Sequence, residues 1–258
     1  MLFAVSGLIG CPIAASDGRI GAVKDFLFDD RSWRIRWVEV DTGGWLPGRK
    51  VLIHPSAVGP LSVPPKPRLP MMSQGDLLEV GVNLTRRQIE ESPEAREDDP
   101  VSKDMASLLY DYYGWDPDWG ATNSGESAIV AEAAEHRAAG IETGPEGDPH
   151  LHSAASVAGY HVHASDGEIG HVENLLADDA SWDIRYLVIA TRNWWPGKVV
   201  RLAPYAVTDV DWLDRQVRLK VTRDQVKSAP AWDPLAMMDE VGEQQLRRHF
   251  GWPGDGGA

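Results

Sequence analysis

Large apolar and charged side chains alternate in two stretches of the chain. Residues 33–38 read Trp-Arg-Ile-Arg-Trp-Val, and residues 182–187 read Trp-Asp-Ile-Arg-Tyr-Leu in the same phase. Side chains of a β-strand point alternately to its two faces, so a period of two is typical of a strand with one buried face. The alternation predicts that Trp33, Ile35 and Trp37 face a core and that the arginines between them face away.

These two stretches belong to a long internal repeat. Residues 165–197 match residues 16–48 without a gap, and about half of the positions are identical. Asp17 recurs as Asp166, 149 positions later, and the same offset relates all other positions of the match. A repeat of this length at one register indicates that a whole folding unit has been duplicated.

Within each copy the pattern predicts short strands separated by turns. The Ser-Asp-Gly triplets place turns at Asp17-Gly18 and at Asp166-Gly167. An Asp side chain accepts hydrogen bonds from backbone N–H groups, and Gly tolerates a positive φ. Short strands with a turn every eight to twelve residues or so favour a small barrel or sandwich.

Each copy closes with helices. Thr85 and Thr222 are both followed three residues later by Gln, a capping box that predicts the start of a short helix. Apolar stripes predict longer helices over residues 102–113 and 235–250, packed on a barrel or on the sister copy. Thr222 lies 137 positions after Thr85, so the first copy contains a twelve-residue insertion, which we place in the proline-rich residues 60–70.

Together these elements predict a mainly β chain with accessory helices. We expect two small β-barrels in tandem, with the first copy at residues 1–118, a linker at 119–152 and the second copy at 153–258. Exposed strand edges need to be covered, and apolar helix faces need a surface on which to pack. Duplication also commonly preserves a two-fold contact. The copies are therefore expected to pack as an intramolecular pseudo-dimer. The alternative is that each helix covers only its own barrel and the halves stay apart.

The order of the motifs resembles the PRC-barrel family in its tandem, soluble bacterial form. The motifs are Ser-Asp-Gly-x-Ile-Gly-x-Val, Asp-Asp-x-Ser-Trp-x-Ile-Arg, Thr-Arg-x-Trp-x-Pro-Gly-Lys, a Thr-Arg-x-Gln helix start and a Tyr-Gly-Trp ending. The family includes the cytoplasmic part of the photosynthetic reaction-centre H subunit and a similar barrel in a ribosome maturation factor. The resemblance implies small β-barrels that dock onto other macromolecules, and it brings no catalytic residues to this chain.

Charge and composition narrow the classes of partner. The net charge is −14, whereas binding to nucleic-acid phosphates or to an anionic membrane surface needs clustered Lys and Arg. Cys11 is the only cysteine, so no intramolecular disulfide can form. The apolar N-terminus lacks the basic residues of a signal peptide, and no run of about 18 apolar residues indicates a membrane span. We therefore expect a cytoplasmic protein without a nucleic-acid partner or a membrane span.

Two pairs of adjacent acids are the strongest catalytic candidates, Asp29-Asp30 and Asp178-Asp179. Glycoside hydrolysis needs two carboxylates that face one substrate. Adjacent residues of a strand point to opposite faces, and both pairs stand in a polar turn. We therefore favour turn roles over catalysis.

The second copy contains histidines that the first copy lacks. His161 and His163 share a strand face by their spacing, and His171 lies on the following strand. Imidazoles spaced in this way can bind a metal, which makes these three the candidate metal ligands. Alternating polar residues on an edge strand explain the same spacing without a metal.

Aromatic residues beside Pro-Gly turns are candidates for partner binding. Of the eleven tryptophans, Trp45, Trp194 and Trp195 stand beside such turns, where exposed rings would suit docking. We predict a non-enzymatic protein-binding or assembly module that needs no cofactor, with an unidentified protein partner, and a homodimer is compatible with this prediction. The alternative is a metal- or small-ligand-binding protein, or an enzyme, that uses the histidines of the second copy.

Overall fold

Strands dominate the described part of the chain. The computed structural model describes residues 1–61, 79–96, 98–119, 131, 135, 147–191, 198–230, 232 and 240–252. Its strands are β1 (Leu2–Ala4), β2 (Pro12–Ala15), β3 (Gly18–Asp29), β4 (Arg34–Asp41), β5 (Arg49–Ile53), β6 (Val80–Gly81), β7 (Ala95–Arg96), β8 (Leu151–Ser153), β9 (His161–Ala164), β10 (Gly167–Asp178), β11 (Ile184–Ala190), β12 (Val199–Leu202), β13 (Val207–Asp211) and β14 (Gln216–Leu219).

Short helices connect and cover these strands. They are α1 (Val5–Leu8), α2 (Arg86–Glu90), α3 (Lys103–Tyr113), α4 (Ala154–Val157), α5 (Arg223–Ser228) and α6 (Glu240–Phe250), with single 3-10 turns at Pro55–Ala57 and Pro204–Ala206. No helix within the described ranges is long and apolar enough to cross a membrane. Residues 62–70 of the predicted insertion, residues 120–130 of the predicted linker and residues 235–239 of the last predicted helix lie outside the described residues.

The strands form two sheets that share a series of five equivalent strands, β6-β2-β3-β4-β5 in the first and β14-β9-β10-β11-β12 in the second. The first has the order β6-β2-β3-β4-β5-β7, and the second has the order β12-β11-β10-β9-β14-β13. Only β2–β6 and β9–β14 pair in parallel among the described strands. No described pairing joins the two outer strands of either order. The closed barrels that the turn spacing predicts are therefore not seen in the described residues, which show two open sheets.

Each half contributes one strand to the sheet of the other half. β8 pairs with β3 of the first sheet, with Phe28 opposite His152. β1 pairs with β10 of the second sheet, with Phe3 opposite Ala177. These two strands occupy equivalent positions of the repeat, so the exchange is reciprocal. Leu151 and His152, which fall in the predicted linker, belong to β8.

The predicted phase of β4 is wrong at its start. Trp33 precedes the strand. Within the strand, Ile35 pairs with Phe28 and Trp37 pairs with Leu27, so Arg36 is an extra residue without a partner position on β3. Such a bulge inserts one residue and switches the side chains that follow to the other face. Ile35 therefore lies in the large core, whereas Trp37 lies on the opposite face beneath α3.

The helices α2, α3 and α5 begin at the predicted residues. Thr85 and Thr222 form complete capping boxes, which confirms both predicted short helices. The hydroxyl of Ser102 accepts the amide hydrogen of Met105 at the start of α3, and Gly114 ends this helix with a φ of 67°.

The longer helices cover the outer faces of the sheets. Leu109 and Tyr110 of α3 pack on Trp37 of the first sheet. Leu246 of α6 packs on Tyr186 of the second sheet, in a cluster that also includes Ala4 of the exchanged strand β1. Each helix thus lies on the sheet formed mainly by its own half.

One glycine of each half lets two strands approach closely. Gly21 and Gly170 have φ values of 150° and 148°. A Cβ atom added at Gly21 would overlap the carbonyl group of Asp41, and one added at Gly170 would overlap that of Ala190. These close approaches leave room only for a residue without a side chain.

Candidate functional site

The two halves meet where the turns after β3 and β10 face each other. Trp33 and Trp182 stand at equivalent positions in these turns, with φ values of 54° and 60°. The amide of Ile184 donates to the carbonyl oxygen of Trp33 (2.7 Å), and the amide of Ile35 donates to that of Trp182 (2.9 Å). A left-handed φ is unusual for a bulky residue. The reciprocal hydrogen bonds hold both turns in this conformation.

The two indole rings differ in burial. Trp182 is 3% exposed, and its ring lies 5.4 Å from Phe3 and 6.1 Å from Phe26, both of the first half. Trp33 is half-buried and stacks on Phe28 at 5.5 Å. Trp182 therefore belongs to a core that both halves build.

An ion pair lies at the centre of this junction. The guanidinium Nε of Arg34 donates to the carboxylate of Asp183 at 2.7 Å. The two residues occupy the same position of the repeat, and their backbones form an antiparallel bridge. Equivalent positions of the two copies thus carry opposite charges where their backbones form this bridge.

The candidate acids Asp29 and Asp178 hold their own turns together. Asp29 accepts the amide hydrogens of Arg31 and Ser32 at 2.9 and 2.8 Å, and Asp178 accepts that of Ser181 at 3.0 Å. Burial alone would raise the pKa of Asp29, but the Arg31 guanidinium and these amide bonds outweigh it and lower the pKa. Both carboxylates remain ionised acceptors for backbone groups.

The neighbouring acid Asp30 points to the exchanged strand. Its carboxylate lies 3.0 Å from Nδ1 of His150 and 3.1 Å from Nε2 of His152. The ring of His152 also stacks on Trp212 of the second half, with 3.4 Å between the centroids. Burial lowers the pKa of His152, and the charge of Asp30 offsets only part of that effect. Asp29 and Asp30 therefore contact different parts of the protein.

The candidate metal ligands stand apart from this cluster on β9 and β10. His161 pairs with His171 across the strands, and its Nδ1 lies 3.2 Å from a carboxylate oxygen of Glu168. His163 stands opposite the same glutamate. Within the described ranges, no group of three or more His, Cys, Asp or Glu side chains is arranged to hold a metal ion.

The Ser-Asp-Gly turns are tied to the helices that close each half. The carboxylate of Asp17 accepts the amide hydrogen of Arg86 at 2.7 Å, and Asp166 accepts that of Arg223 at the same distance. Gly18 and Gly167 follow these acids, with φ values of 145° and 143°. Each acid thus caps the first turn of α2 or α5, a contact that local turn chemistry does not reveal.

Only one of the candidate partner-binding tryptophans lies in the described residues. Trp45 is half-buried, and the guanidinium of Arg86 lies over its ring at 4.6 Å. Trp194 and Trp195 lie outside the described residues.

The first half contains a groove that its own chain fills. His54 forms the floor, and Trp119 closes over it with 5.8 Å between the rings. Arg36 donates to the carbonyl oxygen of Pro117 at 3.1 Å, and Arg34 donates to that of Trp119 at 3.3 Å. The segment 115–119, Trp-Asp-Pro-Asp-Trp, thus fills the space between α3 and the sheet.

In the second half the equivalent residues surround an open cavity of about 310 Å³. Ala203 stands at its floor where the first half has His54, and Arg185 stands where the first half has Arg36. The cavity also reaches Trp33 of the first half across the junction. Its remaining walls include Tyr186, Tyr205, Arg247 and Trp252.

The walls of this cavity, which we call the junction groove, are braced by one carboxylate. Glu243 accepts hydrogen bonds from the hydroxyl of Tyr186 at 2.9 Å and from the guanidinium of Arg247 at 3.0 Å. Burial and the charge of Glu243 raise the pKa of Tyr186, so its hydroxyl stays a donor. Tyr205 at the rim is 56% exposed.

The alternation and turn motifs do not point to the junction groove. A comparison of the two copies could have indicated the groove. His54 and Trp119 of the first half have Ala203 and Gly256 at the equivalent positions of the second half. Such a loss of two rings indicates a difference in packing between otherwise matched halves.

Comparison with known proteins gives one family match. The model of the PRC-barrel domain matches residues 1–59, which include β1 to β5 and the junction turn of the first half. No curated protein matches the chain.

Proposed function

We propose that this protein is a non-enzymatic binding module in which two PRC-barrel-like halves form an intramolecular pseudo-dimer that docks another protein. The junction groove carries this proposal. Protein interfaces are enriched in aromatic and arginine side chains around a pocket. Tyr205, Trp252 and Arg247 provide such side chains at the rim and walls of the groove.

The pairing of the halves supports a role in docking. The exchanged strands β1 and β8 and the Arg34–Asp183 ion pair tie together the two halves that border the groove. A binding surface that is held rigid before association loses less conformational entropy when a partner arrives. The candidate acids Asp29 and Asp178 are occupied by turn hydrogen bonds, which favours a binding role over acid–base catalysis.

The composition of the chain indicates the cellular compartment in which such a module would act. A single, buried cysteine and an acidic chain suit the reducing cytoplasm. We extend the proposal to a cytoplasmic module that works without a cofactor.

Site-specific photo-cross-linking in the cells that produce the protein tests the proposal. A photoreactive residue at Tyr205 is expected to capture a discrete protein, whereas the same residue at Leu213, which is 94% exposed and outside the groove, is not. Equal labelling at both positions, or no protein adduct at Tyr205, would contradict a docking role for the groove. Stoichiometric metal in protein purified without a His tag, lost when His161 and His163 are replaced, would favour the alternative.

A further inference from the structure

The junction groove has an internal counterpart whose occupant is known. Lining residues of the two grooves correspond through the repeat: Arg36 to Arg185, Trp37 to Tyr186 and His54 to Ala203. Tyr113 stacks on Trp115 at 4.1 Å beside the first groove, and Phe250 stacks on Trp252 at 4.6 Å beside the second. The two grooves are thus built to one plan.

From this correspondence we infer that the junction groove binds an acidic, tryptophan-bearing segment of a partner protein, in the way that residues 115–119 fill the groove of the first half. This inference rests on the proposed docking function. The indole of the partner takes the place that Trp119 has over His54, above the smaller Ala203. A backbone carbonyl of the segment accepts from Arg185, as that of Pro117 accepts from Arg36.

The charges around the groove favour an acidic segment. Arg247 stands where the first half has Tyr110, and Arg201 stands where it has Leu52. Lys220 lies over the exposed ring of Tyr205 at 3.3 Å. Four cationic side chains thus lie in or beside the groove: Arg185, Arg201, Arg247 and Lys220. Two carboxylates, Asp183 and Glu243, lie there as well, so cationic groups outnumber acidic ones although the whole chain carries a net charge of −14. Complementary charge speeds the approach of a partner and favours partners of opposite charge.

The second copy does not repeat the aromatic residue that fills the first groove. Gly256 stands at the position equivalent to Trp119, and residues 253–258 read Pro-Gly-Asp-Gly-Gly-Ala. A tryptophan of a partner would supply the ring that this position of the repeat lacks.

Binding of a short peptide to the full-length chain tests the inference. The probe is the acetylated and amidated peptide Trp-Asp-Pro-Asp-Trp, labelled with a dye and titrated by fluorescence polarisation. We expect saturable binding that weakens by at least about tenfold when the last Trp of the peptide is replaced by Ala, because a buried Trp is a typical hot spot. A peptide with Lys in place of both Asp residues is expected to bind more weakly.

Two variants locate the binding. Arg185→Ala removes the guanidinium equivalent to that of Arg36, which donates to the segment in the first half, and Tyr205→Ala removes the exposed ring at the rim of the groove. Both are expected to weaken binding by at least about tenfold, while the exposed control Leu213→Ser leaves it unchanged. Circular dichroism of each variant verifies that it is folded.

Several results would overturn the inference. They are the absence of saturable binding, equal binding of the Trp and Ala peptides, equal binding of the Lys and Asp peptides, or binding that survives both groove variants. A concentration-dependent dimer that is lost in Trp119→Ala would assign the groove to a second copy of this chain. If Tyr205 cross-links to a protein but the peptides fail, the docking function stands and the tryptophan segment does not. If both fail, the docking function falls as well.

Discussion

His54 should make this protein lose stability as the pH falls below neutrality. Its side chain is buried, at 3% exposure, among the rings of the first groove. Nδ1 accepts the amide hydrogen of Ser56 at 3.3 Å, which leaves the proton of the neutral ring on Nε2. Burial lowers the pKa of His54 to about 3, and the nearby charges of Arg36 and Arg34 add to the effect.

The sign and size of the effect follow from linkage. A histidine whose pKa is lower in the folded state binds protons more tightly in the unfolded state, with an ordinary pKa of about 6.5. The stabilisation is therefore complete above that pH and is lost as the pH falls from 6.5 towards 3, by about 1.4 kcal/mol per pH unit. Between pH 7.5 and pH 5.0, His54 alone should remove about 2 kcal/mol from the free energy of unfolding.

Urea denaturation at the two pH values measures this difference. His54→Ala introduces the residue that the second half carries at position 203, and it should reduce the pH-dependent loss by about 2 kcal/mol relative to the wild type. The exposed Leu213 provides the control, since Leu213→Ala removes no titratable group and should keep the wild-type loss. Titration of the other groups is common to all three proteins and cancels. If His54→Ala and the wild type lose the same free energy within about 0.5 kcal/mol, His54 is not held neutral by its surroundings.

Three further substitutions test the shared core, a close approach of two strands and a helix cap. Trp182→Ala should cost about 3–5 kcal/mol in denaturant unfolding, because the ring fills the shared core, and an unchanged midpoint would contradict that placement. Gly170→Ala should cost more than about 2 kcal/mol, since its Cβ overlaps the carbonyl oxygen of Ala190; a loss below about 0.5 kcal/mol would show that the strands can separate freely. Ser102→Ala should cost about 1 kcal/mol through loss of the helix cap, measured as a shift of the thermal midpoint, and no shift would argue against the cap.

Local features of the fold could be predicted from the sequence because short-range chemistry determines them. The capping boxes at Thr85 and Thr222 need only residues three positions apart, and the helix end at Gly114 needs only a positive φ. The duplication was likewise visible as an exact register between the copies. These features define where elements begin and end.

Long-range features escaped prediction for equally physical reasons. The bulge at Arg36 depends on how β3 pairs, and it reverses the faces that simple alternation assigns to Trp37. The strand at Leu151–Ser153 is three residues long, and its pattern carries no signal that it pairs with a strand of the other half. The His150–Asp30–His152 contact depends on that same exchange, so spacing along the chain could not bring these residues together.

The strand exchange has a consequence for the order of events during synthesis. Leu2 is synthesised long before its partner Asp178, which stands much later in the chain. The first sheet must likewise wait for Leu151–Ser153 before the edge of β3 is covered. Pairings between residues so far apart in sequence form slowly, and an uncovered strand edge can meanwhile pair with other chains. We therefore expect the nascent N-terminal half, whose strand edges are not yet covered, to be the form of this protein that most needs a chaperone.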